Sequence, residues 1–203
     1  TNDARHILIA GDLFDAANPA SKTWRQAIAT MAEAKDVTWW LLPGNHDNLA
    51  EGQATWDGIA ALEHPNIHVL QTAEPQEMQP GTFLLPSPLA SRRPSADPTY
   101  WMDNAETLDG GIRIGLAHGP IQSFGETALP ADLIAPDRAA RAKLDWLALG
   151  DWHGEMKISD NAGYSGSPER TRFKHNGRGV AYLVDIPGHG MKPAVEPVTL
   201  GTF

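Results

Sequence analysis

Leu41-Leu42-Pro43-Gly44-Asn45-His46-Asp47 contains the sharpest change of pattern in this chain. An apolar run over residues 37–42 stops at the Pro-Gly pair, and the next three residues are an amide, an imidazole and a carboxylate. The run predicts a buried strand that ends at Pro43. The turn after it therefore brings three side chains that can bind metal or phosphate into a small volume.

The same pattern recurs at three other places. Each has an apolar run that ends in glycine or alanine and is followed by aspartate or histidine. The three are Ile9-Ala10-Gly11-Asp12-Leu13-Phe14-Asp15, Gly115-Leu116-Ala117-His118-Gly119 and Leu147-Ala148-Leu149-Gly150-Asp151-Trp152-His153-Gly154. The sequence thus predicts four strands whose ends carry candidate ligands.

Composition limits the classes of protein to consider. The 203 residues fit a single domain, 1–203. A composition of 41% hydrophobic and 20% charged residues is typical of a soluble globular protein. No apolar run approaches the roughly 20 residues of a membrane helix, so we expect a cytoplasmic chain with no membrane partner. The chain has no cysteine, which excludes disulfides and thiolate metal sites. A net charge of −9 argues against a nucleic-acid coat but is compatible with a nuclease whose acidic site is neutralised by metal ions.

The order of predicted elements is that of an α/β protein. Residues 6–11 and 37–42 predict buried strands, separated by a helix that Ser21 caps and that runs to about residue 35. A right-handed crossover makes these strands parallel, so Asp12 and Asn45 should emerge at the same sheet edge. Further helices are predicted at 56–62 and 136–144, antiparallel β structure at 76–89, and strands at 67–70, 112–118, 146–150, 162–165, 180–186 and 194–199.

Ligands of open α/β sheets bind beyond the carboxyl ends of the strands, where these loops would meet. Carboxylate, amide and imidazole donors suit Mn²⁺, Fe or Zn²⁺, and a two-metal centre could clamp a phosphate and lower the pKa of a water. Taken singly, Gly-Asp pairs are common turn residues and His118 could be a core histidine. The four strand ends together favour a metal site.

These motifs, in this order, resemble those of the calcineurin-like metallophosphoesterases. Within that superfamily, Leu8–Asp15 and the later Tyr164-Ser-Gly-Ser-Pro-Glu-Arg170 are most similar to SbcD-type DNA repair exonucleases. The resemblance implies a four-layer α/β/β/α sandwich. It also implies metal-dependent hydrolysis of a phosphodiester, DNA above all, by a metal-activated water and a catalytic histidine. A coiled-coil ATPase partner is implied as well.

Carried over to this chain, the resemblance assigns a role to each candidate residue. Asp12 would bridge two metals, Asn45 and His118 would bind the second metal, and His153 the first. Asp151, where the family usually has histidine, could still bind and would favour Mn²⁺ or Mg²⁺ over Zn²⁺. His46 would assist the leaving group, Asp47 would orient His46, and Asp15 would support the loop.

The family's opening Asp-x-His motif should lie roughly 30 residues before the first strand seen here. We therefore expect an N-terminally truncated sandwich that lacks its first strand and helix, with no capping domain evident. One metal site (Asp12, Asn45, His118 and Asp151) should be well formed and the other weak.

Arg170 and Arg172 belong to a basic segment that could bind a phosphate backbone or simply be an exposed hairpin. Two other functions stay open at this point. A phosphatase or small-molecule phosphodiesterase would use the same residues, and a catalytically weak interaction module would fit the missing motif.

Overall fold

The computed structural model describes residues 4–121, 133–168 and 179–200. Its elements, in chain order, are β1 (His6–Ile9), α1 (Ser21–Glu33), β2 (Thr38–Leu41), α2 (Leu49–Ala60), β3 (Ile67–Val69), β4 (Gln76–Gln79), β5 (Thr82–Ser87), a 3₁₀ helix (Tyr100–Asn104), β6 (Ile112–His118), α3 (Arg138–Arg141), β7 (Trp146–Gly150), β8 (Met156–Ser159), β9 (Ala162–Tyr164), β10 (Gly179–Asp185) and β11 (Ala194–Leu200). In the described part of the chain, no helix is long and apolar enough to cross a membrane.

The described strands form three sheets. The first has the order β1-β2-β3 and is parallel throughout. The second has the order β4-β5-β6-β7-β9-β8, with parallel pairing from β5 to β9 and an antiparallel strand at each edge. The third is the antiparallel pair β10-β11. The predicted α/β class with a parallel first unit is confirmed.

Alternate residues of the first sheet enter two different cores, as the period of a strand requires. Leu41 packs with Trp24 and Ile28 of α1 and with Trp56 of α2. The opposite face contributes Trp40 and Leu42, which pack against Leu84 of β5 and Leu116 of β6 in the second sheet. The first sheet therefore lies between the two helices and the second sheet.

The far face of the second sheet is covered by the 3₁₀ helix and α3. Leu85, Ala117 and Leu147 of the sheet pack there with Met102 and Ala139. The first and second sheets thus pack against each other through one apolar interface, and helices cover the outer face of each sheet. This packing brings the ends of β1, β2, β6 and β7 to a common edge.

A buried ionic cluster joins α3 to the 3₁₀ helix. Arg138, only 1% exposed, donates to Asp97 at 2.8 Å and to the Thr99 hydroxyl at 2.9 Å, and it pairs with Asp103. Burial raises the pKa of Asp97, but hydrogen bonds from Thr99 and Arg138 outweigh it and hold that pKa below its usual value.

Three predicted helices differ from those observed. The first begins at Ser21 as expected, but its N-cap is Ala20 and no side chain caps it. The second begins at Leu49 rather than residue 56, because the Asn48 side chain accepts a hydrogen bond from Glu51 N at 3.1 Å and so starts the helix earlier. The helix predicted at 136–144 is reduced to Arg138–Arg141, since Lys143 has a φ of 51° and leaves the helical conformation.

Candidate metal centre

The four predicted strand ends do meet, and three glycines allow the close contact between them. A Cβ built on Gly11 would lie 2.2 Å from His118 Nδ1, one on Gly44 would lie 2.2 Å from Asp12 Oδ1, and one on Gly150 would lie 1.8 Å from the Ala10 carbonyl oxygen. Contacts this short leave no room for any side chain at these positions. The glycines are therefore what lets the ends of the two sheets touch.

Two aspartates at this junction have an unusual backbone. Asp12 has a φ of 53° and Asp151 a φ of 99°, a region that non-glycine residues rarely occupy. Such conformations cost roughly 1–3 kcal/mol and persist where the surrounding structure enforces them, often at functional sites. In each case the residue before the aspartate is a glycine packed against the opposite sheet.

His118 is the centre of the group. Its side chain is 2% exposed, and its Nδ1 lies 2.7 Å from the Ala10 carbonyl oxygen, which can only accept, so Nδ1 carries the proton. Nε2 then faces two carboxylates, with Asp12 Oδ2 at 3.3 Å and Asp151 Oδ1 at 3.8 Å. A backbone carbonyl that holds Nδ1–H and leaves Nε2 free is the arrangement typical of metal-binding histidine.

Asn45 completes the group from the other strand end. Its Nδ2 donates to Asp151 Oδ1 over 3.5 Å, which leaves Oδ1 of the amide turned inward. Both Asn45 Oδ1 and His118 Nε2 are buried and have no hydrogen-bond partner within the described residues. Buried polar atoms normally have a partner, and these two are atoms that could bind a metal ion.

The electrostatics of the group favour a cation. Burial lowers the pKa of His118, but the Asp12 carboxylate 3.3 Å away outweighs this effect, so the pKa lies above its usual value. Burial raises the pKa of Asp12, and contact with His118 reverses the effect, so this pKa lies below its usual value. A proton on His118 is thus stabilised where two carboxylates converge, and a divalent cation could take its place.

The donor set is small. With histidine, aspartate and glutamate alone, the described residues contain no group of three side chains that could hold a metal ion. Asp12 and His118 provide two donors at a spacing close to the roughly 3.0–3.4 Å between neighbouring ligands of one ion at bond lengths near 2.1 Å. Asn45, an amide, provides the third. The residues therefore fit one ion whose remaining positions are taken by water or by other groups.

His46 lies at the exposed rim of the group. Its backbone N–H donates to Asp12 Oδ1 at 2.9 Å, and its Nδ1 lies 3.1 Å from the carbonyl oxygen of Asp15. Because a carbonyl can only accept, Nδ1 is the donor and Nε2 is left to bind or release a proton. The structure thus gives Asp15 a contact with His46 through its backbone rather than through its carboxylate.

Asp47 has a different partner from the one its predicted role requires. It is 1% exposed, and its carboxylate accepts from Gly44 N at 2.6 Å and from Phe14 N at 3.1 Å. Burial raises the pKa of Asp47, and the two hydrogen bonds, which act in the opposite direction, do not cancel this effect. The carboxylate therefore holds the turn after β2 against the turn after β1, and among the described contacts it does not reach the His46 ring.

Two groups of predicted site residues are not joined to the centre. His153 is exposed, and within the described part of the chain its side chain makes no hydrogen bond or ion pair with the other candidates. Its backbone carbonyl instead accepts from Ser167 N at 3.1 Å. Arg170 and Arg172 lie outside the described residues.

Tyr164 is a supporting residue that the sequence did not reveal. Its ring is 2% exposed, and its hydroxyl donates to the Gly119 carbonyl at 2.7 Å, directly after His118. Burial and the charge of Asp151 raise the pKa of this tyrosine, so the hydroxyl stays protonated as a donor. The partners are 45 residues apart in sequence, and no local pattern marks their contact.

Comparisons with known proteins identify the family of this chain. The profile of the calcineurin-like phosphoesterase family matches residues 2–189. The uncharacterized metallophosphoesterase YhaO of Bacillus subtilis strain 168 is 28% identical over 192 residues, covering 89% of this chain and 45% of its own length. The chain thus spans about half the length of this curated relative.

Solved structures support the fold alone, because their sequences are distant. TT1561 of Thermus thermophilus superposes with a TM-score of 0.61 at 12% identity, covering 97% of this chain and 86% of that one. A second crystal structure superposes with a TM-score of 0.58 at 10% identity, covering 89% of this chain and 72% of that one. Because the family profile matches nearly the whole chain, this chain belongs to the calcineurin-like phosphoesterases, a family whose members are generally metal-dependent hydrolases of phosphoric esters.

Proposed function

We propose that this chain is a metal-dependent phosphodiesterase that acts on DNA as an exonuclease. The observation that carries the proposal is the pair of buried, unpartnered atoms, Asn45 Oδ1 and His118 Nε2, beside the carboxylates of Asp12 and Asp151. A protein leaves such atoms unpaired at a cost of roughly 1–3 kcal/mol each. A divalent cation would satisfy both and neutralise the two carboxylates.

The ion would be held by Asp12, Asn45 and His118, with Asp151 as a further ligand. Three oxygen donors and one imidazole favour Mn²⁺, with Mg²⁺, Fe and Zn²⁺ as weaker candidates. When bound, the ion supplies a Lewis acid for the phosphate and lowers the pKa of a water. Within the described residues, a first ion would have only Asp12 and His153, so we expect it to bind weakly.

His46 would act on the leaving group. Its Nδ1–H donates to the Asp15 carbonyl, so a proton on Nε2 can be given to the departing oxygen. Asp47 would act indirectly, since its bonds to Gly44 N and Phe14 N hold the loops of Asn45 and Asp12 together. Asp15 would keep the His46 ring in one orientation.

DNA as substrate rests on the resemblance of Leu8–Asp15 and Tyr164–Arg170 to SbcD-type exonucleases. Arg170 and Arg172 are proposed to bind the strand's phosphates, and a coiled-coil ATPase is proposed as partner in the cytoplasm. The same resemblance predicts a four-layer α/β/β/α sandwich.

The test begins with Mn²⁺ titration by calorimetry. We expect one tight site in the wild type and at least tenfold weaker binding in His118→Ala, with His64→Ala as the matched control. Two equally tight sites would contradict the proposed ligand set, and binding unchanged in His118→Ala would refute the site.

Hydrolysis then separates the enzyme classes. We expect a bis-nitrophenyl diester to be cleaved faster than the nitrophenyl monoester, and His46→Ala to lower kcat by roughly 10²–10⁴-fold. Preference for the monoester would make the chain a phosphatase.

The small donor set favours a third candidate, a binding module with little activity. Activity unaffected by His46→Ala would show that the hydrolysis measured comes from elsewhere.

A further inference from the structure

Trp152 is exposed beside the candidate metal centre. The chain has seven tryptophans, and the other six are buried or half-buried, whereas the Trp152 side chain is 53% exposed. It lies directly after Asp151, whose carboxylate is 3.8 Å from His118 Nε2. Neighbouring Cα atoms are about 3.8 Å apart, so the backbone of Trp152 lies next to the centre, and its exposed ring is free to contact a ligand.

The indole is held in place. A Cβ built on Gly154 would lie 3.1 Å from the indole nitrogen and 3.8 Å from Cδ1, so one part of the ring rests on the Gly154 backbone. The loop beneath it is packed in turn. Ser167 N donates to the His153 carbonyl, and a Cβ on Gly166 would lie 2.9 Å from the carbonyl carbon of Gly154. The rest of the ring is an exposed apolar surface, which we call the Trp152 platform.

The charge of the chain indicates what such a platform would bind. With a net charge of −9, the chain as a whole does not attract a polyanion. A neutral stacking contact adds affinity without counter-charge, and every nucleobase offers a flat face for it. A base can reach an indole only when it is not paired and stacked in a duplex.

Resting on the proposed function, we propose that Trp152 stacks against an unpaired nucleobase next to the bound phosphate, so the preferred substrate is a single-stranded DNA end. Trp152 is then a positioning residue that selects nucleotide diesters over simple ones. Base–indole stacking of this kind is worth about fivefold or more in affinity.

The experiment compares two labelled hexamers, oligo-dT and an abasic strand of the same length and charge, by fluorescence anisotropy with Ca²⁺ in place of Mn²⁺. We expect the wild type to bind oligo-dT at least about fivefold more tightly than the abasic strand. Trp152→Ala should remove this preference, and Trp152→Phe, which keeps a flat ring, should retain most of it. Leu108→Ala is the control, because Leu108 is also exposed but precedes β6 at the end opposite His118.

Equal binding of the two strands by the wild type, or a preference that survives Trp152→Ala, would overturn the role of Trp152. Binding does not depend on hydrolysis, so this result is separate from the proposed function. A chain that prefers oligo-dT through Trp152 but cleaves no diester would support the platform and refute the phosphodiesterase. A chain that cleaves the bis-nitrophenyl diester but shows no base preference would support the phosphodiesterase and refute the platform.

Discussion

Gly150 tests whether the contact between the two sheets builds the candidate metal centre. Gly150 ends β7, and a Cβ there would lie 1.8 Å from the Ala10 carbonyl oxygen and 2.9 Å from His118 Nδ1. In Gly150→Ala the Ala10 carbonyl would have to retreat by about 1.6 Å to reach ordinary contact at 3.4 Å. That carbonyl is the acceptor of the 2.7 Å hydrogen bond from His118, so the bond should break.

The expected size of the effect follows from three contributions. Overpacking of a close-packed contact costs about 1–3 kcal/mol, and loss of the hydrogen bond adds about 1 kcal/mol. Alanine restricts the unfolded chain, which offsets about 0.5–1 kcal/mol. We expect a net destabilisation of roughly 1–3 kcal/mol, which lowers Tm by about 2–4 °C per kcal/mol in a chain of this size.

The assay is urea unfolding combined with Mn²⁺ calorimetry. Metal–ligand distances tolerate shifts of only about 0.2 Å, so we expect at least tenfold weaker Mn²⁺ binding in Gly150→Ala. Gly188→Ala is the matched control, since among the described residues its Cβ would meet only the Met191 side chain, with its nearest atom at 3.4 Å. If Gly150→Ala were as stable as Gly188→Ala and bound Mn²⁺ like the wild type, the sheet contact would not position His118.

Two further predictions concern residues that support the fold around the centre. Asp97→Asn should lose about 1–3 kcal/mol at pH 7, because the buried Arg138 loses one of its two carboxylate partners and keeps Asp103. Since the pKa of Asp97 is lowered by folding, this stabilisation is present above the ordinary pKa near 3.8 and is lost as the pH falls through the lower folded value. Urea unfolding should show a smaller difference in the free energy of unfolding between Asp97→Asn and the wild type at pH 3 than at pH 7. An equal difference at the two pH values would argue against an ionic role. Tyr164→Phe should lose about 1 kcal/mol through the missing bond to the Gly119 carbonyl, and an unchanged Tm would show that this bond does not stabilise the loop after His118.

The local sequence pattern was enough to predict these strands and the candidate ligands at their ends. Apolar runs that end at glycine, alanine or proline predicted β1, β2, β6 and β7, and the right-handed crossover predicted that the ends of β1 and β2 share an edge. This works because strand ends and tight turns depend on neighbouring residues. Helix bounds were less predictable where a side-chain cap or a left-handed residue competed with the apolar pattern, as at Asn48 and Lys143.

The partners of those residues came only from the folded chain. His118 bonds to Ala10 across 108 positions, Asn45 reaches Asp151 across 106, and Asp47 holds Phe14 N across 33. Such contacts depend on how two sheets pack and on which backbone atoms face each other, and no short window of sequence contains that information. The sequence therefore determined the donor types at the centre, while sheet packing decided which atoms point inward, which carboxylate holds the loops and which tryptophan is left exposed.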